Sequence, residues 1–92
     1  MPDKPLQRIL KIANQRGLHA RAAAKLAQVA SNFEAEINVS RAGQTVSARS
    51  IMGLMMLGAA IGYDVVLEVS GSDAEHAMQA IIELIEGKFG EN

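Results

Sequence analysis

Histidine, arginine and glycine fall close together in Asn14-Gln15-Arg16-Gly17-Leu18-His19-Ala20-Arg21-Ala22-Ala23-Ala24, and their spacing suits phosphoryl chemistry. Imidazole is nucleophilic near neutral pH, and a phosphorylated ring nitrogen leaves more readily than an alkoxide, so His19 can both accept a phosphoryl group and pass it on. Arg21 offers a planar fork of donors for phosphate oxygens, and Gly17 permits the backbone bend that aims His19 at the start of the next element. That element is alanine-rich. A helix beginning at Ala20 presents unpartnered N–H groups and the positive end of its dipole to an anion held at His19. The competing reading is a solvent-exposed loop histidine with no task.

A second stretch, Ser50-Ile51-Met52-Gly53-Leu54-Met55-Met56-Leu57-Gly58, reads as a short helix over Ser50 to Leu57 with Ser50 as its N-cap. If Leu54 and Leu57 turn inward, so short a helix has no second core face for Met52, Met55 and Met56. Those methionines either fill gaps in the core or make an apolar docking surface. Ser50 likewise is either a cap that satisfies a backbone N–H or a hydroxyl open to modification.

The elements that must position these residues can be read from periodicity. Leu6 to Ala13 reads as a strand, with Leu6, Arg8, Leu10 and Ile12 on one side. Ala20 to Phe33 holds six alanines, and its stripe of Leu26, Val29, Ala30 and Phe33 makes it an amphipathic helix. Glu36 to Arg41 and Gln44 to Ala48 form a hairpin around Ala42-Gly43. Tyr63 to Ser70 alternates, placing Val65, Leu67 and Val69 inward. Ser72 and Glu75 have capping-box spacing, and Ala74, Ala77, Met78, Ile81, Ile82, Ile85 and Phe89 continue as one long helical stripe. The order β-α-β-β-α-β-α is an α+β arrangement whose elements are too short for a doubly wound parallel sheet. An antiparallel sheet with helices on one face and water on the other satisfies it.

Composition limits the function classes. The chain has 92 residues, 49% hydrophobic, with no repeat or linker, and reads as a single domain over 1–92. It has no cysteine, no signal-peptide pattern and no apolar run that spans a bilayer, so a soluble cytoplasmic monomer without a membrane partner is expected. The net charge of −1 conceals an asymmetry: residues 1–49 hold eight Lys and Arg against three acids, residues 50–92 one against seven. Arg16, Arg21, Lys25 and Arg49 lie near the two segments and would draw an anionic ligand or acidic partner, unless they are merely solvated charges. One tyrosine and two phenylalanines are too few stacking platforms for nucleic acid. His76, beside Asp73 and Glu75, has too few co-ligands for a metal, and no catalytic motif or cofactor loop appears.

Gly17-Leu18-His19-Ala20-Arg21 resembles the active-site signature of the HPr family of the bacterial phosphotransferase system, and Ser50 to Gly58 resembles its second signature. The similarity in element order extends over nearly all of residues 6–89. It implies an open-faced β-sandwich: a four-stranded antiparallel sheet covered on one face by three helices. It implies a stoichiometric phosphoryl carrier rather than an enzyme, needing no cofactor or metal, phosphorylated on His19 at Nδ1 by Enzyme I and discharged to an EIIA-type protein. Arg21 is then the charge-neutralising residue, with Gly17 and Ala20 supporting the phosphoryl group. Ala20, Arg21, Ala24, Ile51, Met52, Met55 and Met56 form the shared partner surface, and Ser50 is the regulatory serine open to an HPr kinase/phosphorylase. Ala22 stands where the family commonly has proline, a departure that admits the nitrogen-regulatory members beside those serving sugar uptake. A regulatory interaction module of the same fold, using Ser50 and the methionine face but not His19, is the alternative.

Overall fold

Alternating apolar side chains build the sheet. In the computed structural model, which describes residues 5–91, strands β1 (Leu6–Lys11), β2 (Glu36–Arg41), β3 (Gln44–Ser47) and β4 (Asp64–Ser70) pair antiparallel in the order β1-β4-β2-β3. Register puts Leu10 opposite Val65, Leu67 between Arg8 and Val39, and Val69 between Leu6 and Ile37, so these side chains share one face. On that face Val65, Leu67, Val69, Ile37 and Val39 are buried. The opposite face carries pairs such as Gln7 with Glu68 and Ile9 with Val66, and Ile9 is 68% exposed. One face is thus the core and the other is open to water, as expected.

Three helices cover the inner face: α1 (Ala20–Ala30), α2 (Ile51–Met56) and α3 (Ala74–Glu86). Helix α3 lies over β1 and β4, α1 packs against α2 and α3, and α2 rests on β3. Leu26, Leu54, Ile81 and Ile85 join the strand residues in a single buried cluster. Burying each such side chain contributes roughly 1.5–3 kcal/mol. None of the helices among the described residues is long and apolar enough to cross a membrane.

Strand β1 ends at Lys11 rather than Ala13, the ends of β3, α2 and β4 fall within one residue of expectation, and three further differences have a tertiary cause. Helix α1 stops at Ala30, with Phe33 only partly buried beyond it, because the Arg49 guanidinium donates to the carbonyls of Ala30, Phe33 and Ala35 and closes the helix end early. The capping box at Ser72 and Glu75 does not form. The residue before α3 is Asp73, and its carboxylate instead accepts the backbone N–H groups of Glu34 (2.9 Å) and Ala35 (2.8 Å), two donors from the other side of the fold. Finally, α3 ends at Glu86, and Phe89 lies in a 3-10 turn (Lys88–Gly90) rather than on the helical stripe. Lys88 and Phe89 have φ of 59° and 55°, which costs roughly 1–2 kcal/mol per residue. Burial of Phe89, 1% exposed, is of the same size and offsets it. The turn reverses the chain and returns Glu91 to the start of α1.

Candidate functional site

The bend before α1 is specified by one glycine. Gly17 sits at φ +67°, and a Cβ there would lie 2.4 Å from the Ala59 carbonyl oxygen. No other residue fits that approach. The N–H of Leu18 donates to the same Ala59 carbonyl (2.9 Å), and buried Leu18 anchors the loop, so His19 is carried to the helix N-terminus on a fixed base.

His19 is the N-cap residue of α1. Its carbonyl accepts from the N–H of Ala23 (2.8 Å), while its ring makes no cap hydrogen bond. The first-turn N–H groups are therefore left for another acceptor, and no acidic side chain occupies that turn. Ala22, at the position where the resemblance leads one to expect proline, is fully buried in the same turn. Arg16, Arg21 and Lys25 line a cleft of about 290 Å³ with His19, Gln15, Gly90 and Glu91. Among the described residues, neither Arg16 nor Arg21 is engaged in an ion pair. Lys25 is committed in part: its ammonium donates to the Phe89 carbonyl (2.6 Å) and holds the returning chain down.

Two residues that local sequence pattern did not reveal complete the site. The Nε2 of His19 is hydrogen-bonded to Oε2 of Glu91, with both side chains about one-fifth exposed. The Nδ2 group of Asn14 donates to Oε1 of the same carboxylate (3.2 Å) and to the Gly17 carbonyl (2.8 Å). The bond with His19 holds the Glu91 carboxyl below the ordinary carboxylate value against partial desolvation, and Asn14 and the charges of His19 and Arg16 act in the same direction. Asn14 is completely buried, and its Oδ1 has no partner among the described residues. An unsatisfied buried acceptor costs on the order of 1–3 kcal/mol.

The second predicted segment is also placed. Ser50 caps α2, its Oγ accepting from the N–H of Gly53 (3.0 Å), and the residue is exposed. Leu54 and Leu57 are buried, whereas Met52 and Met56 are 70% and 72% exposed and Ile51 and Met55 are also exposed, so the core-filling reading of these methionines fails. Ala20, Arg21 and Ala24 are exposed on α1, the helix against which α2 packs. Arg49 does not join the cations at His19, since its guanidinium is occupied at the far end of α1. His76 lines a different depression, beside Asp73 and Glu75, and the described residues include no cluster of three metal-ligating side chains.

Residues 6–87 match the family model described as the PTS HPr component phosphorylation site. The chain is 54% identical over 86 residues to the phosphocarrier protein HPr of Cupriavidus necator, covering 94% of this chain and 97% of that protein. It is 45% identical over 86 residues to the phosphocarrier protein NPr of Shewanella violacea, covering 94% of each. Its fold superposes on the crystal structure of HPr-C-His from Thermoanaerobacter tengcongensis with a TM-score of 0.90 at 45% identity, over 95% of this chain and 98% of that one.

Proposed function

This chain belongs to the HPr family of phosphotransferase-system phosphocarriers, and from that premise we propose that His19 is the residue that carries the phosphoryl group. The protein is a stoichiometric carrier, not an enzyme. The observation that carries the assignment is His19 at the N-terminus of α1, its ring free of any capping duty, beside Arg21 and Arg16, which make no ion pair among the described residues. With Nε2 directed at Glu91, Nδ1 is the ring nitrogen left to attack phosphorus. The new N–P bond forms as the donor's P–N bond breaks, and its electron pair returns to the donor ring. First-turn N–H groups and Arg21 then stabilise the phosphoryl oxygens, with Gly17 and Ala20 shaping their approach.

The donor in this reading is Enzyme I and the acceptor an EIIA-type protein, both docking on Ala20, Arg21, Ala24, Ile51, Met52, Met55 and Met56. Flexible exposed methionines beside a cationic cleft suit one surface that serves two partners in turn. Such transfer places a monomeric carrier in the cytoplasm, where its partners act. The protein mixed with Enzyme I and phosphoenolpyruvate should acquire one acid-labile, base-stable phosphate, and His19→Ala should not. Label persisting in that variant would reject the assignment.

Ser50 is the proposed regulatory position, a substrate for an HPr kinase/phosphorylase. Its exposed hydroxyl borders the methionine face, so a phosphate there adds roughly two negative charges to an apolar docking surface. Ser50→Asp should slow transfer from Enzyme I severalfold while the circular dichroism spectrum stays native. Unchanged kinetics would remove the regulatory role.

A further inference from the structure

We propose that Asn14 is a positioning residue for transfer at His19: its carboxamide ties the Gly17 carbonyl to the Glu91 carboxylate, and through that carboxylate holds the imidazole with Nε2 engaged and Nδ1 open. This role rests on His19 being the phosphoryl acceptor.

Asn14 is fully buried, yet its Oδ1 is unpartnered among the described residues. A buried amide with an orphaned acceptor is a poor way to fill space, since an apolar side chain of similar size would avoid the desolvation. Its two N–H groups explain its presence better. Both end on acceptors at the site, 2.8 Å from Gly17 O and 3.2 Å from Glu91 Oε1, and turning the amide over would set Oδ1 against both. The Gly17 carbonyl also accepts from the backbone N–H of His19 (2.9 Å). Backbone and ring of His19 are therefore tied to the same amide by two independent routes.

Proton counting gives the consequence for the ring. A carboxylate only accepts, so Nε2 donates to Glu91, and a neutral imidazole that keeps its proton on Nε2 has its lone pair on Nδ1. When Nδ1 forms the N–P bond and the donor ring departs with its electron pair, the Nε2 proton stays in place. The positive charge gained by the His19 ring then faces the Glu91 carboxylate. No proton has to move during transfer, and without the Asn14 anchor Glu91 is free to swing into solvent and release the ring to both tautomers.

The test begins on unphosphorylated, 15N-labelled protein at a pH where His19 is neutral. Long-range proton–nitrogen correlation should give the Nε2-protonated pattern for wild type. A ring protonated mainly at Nδ1 overturns the Asn14 role without any variant. Asn14→Ala, and Asn14→Asp as a near-isosteric alternative should the first not fold, should raise the Nδ1-protonated fraction. Each should also lower kcat for labelling by Enzyme I severalfold with KM unchanged. Glu91→Ala should do the same, Glu91→Gln should restore part of the loss, and Asn14→Ala with Glu91→Ala should be no slower than the worse single variant. A merely structural Asn14 would lower the melting temperature but leave tautomer ratio and kcat as in wild type, and that result overturns the positioning role. Failure of wild type to be labelled, or labelling of His19→Ala, would instead count against His19 as acceptor.

Discussion

A single side chain often serves a partner that the local pattern does not show, and Asp73 is an example. Ser72 and Glu75 have the spacing of a local cap, but the carboxylate of Asp73 crosses the fold to the N–H groups of Glu34 and Ala35. The Glu34 N–H is the leading cause that keeps the Asp73 carboxyl below its ordinary value, opposed by desolvation and aided by Ala35. Because the folded state gives up this proton more readily than the unfolded chain, the stabilisation is complete above the unfolded carboxylate range. It is lost as pH falls through the lower folded value. Asp73→Asn should therefore lower stability at neutral pH and make its decline toward strong acid shallower in urea-unfolding series. Equal pH profiles for the two proteins would show that Asp73 contributes nothing. Asn14 and Arg49 teach the same lesson: His19 and Ser50 could be read from neighbours in sequence, whereas these two act on atoms fixed only by tertiary approach.

At the scale of elements, legibility tracked the strength of the local signal. Strand β4 has an unbroken alternation and lies within one residue of where the pattern put it, and Ser50 caps α2 by accepting the N–H of Gly53 in the helix it begins. Helix ends were less readable, since α1 is cut short by Arg49 and α3 by the reversal that buries Phe89. The hairpin was legible from Ala42-Gly43, but one of its residues is ill suited to its conformation: Ala42 sits at φ +52°. Two-residue hairpin turns with positive φ at both positions favour asparagine followed by glycine. Ala42→Asn should stabilise the protein by about 1 kcal/mol, raising the melting temperature by roughly 4–8 °C. A melting temperature at or below that of wild type would show that the turn is not strained.

At the scale of the molecule, the charge asymmetry seen along the sequence becomes a cationic rim, with Arg16, Arg21 and Lys25 around the cleft at His19. Salt shortens the reach of such charges from about 10 Å at 0.1 M to about 3 Å at 1 M. The rate of encounter with the proposed donor, Enzyme I, should therefore fall steadily with ionic strength, and less steeply for Arg21→Ala. A salt-independent rate would assign docking to the methionine face alone. Sheet order was readable only as antiparallel, because nothing local tells β1 to seek β4 rather than β2. That remote pairing also imposes a timetable. A ribosome delivers His19 long before it delivers Asp64–Ser70 or Glu91, so the imidazole is made well ahead of the strand that pairs with β1 and of its own carboxylate partner. A chain that has not yet reached Glu91 therefore lacks the carboxylate that engages Nε2 of His19.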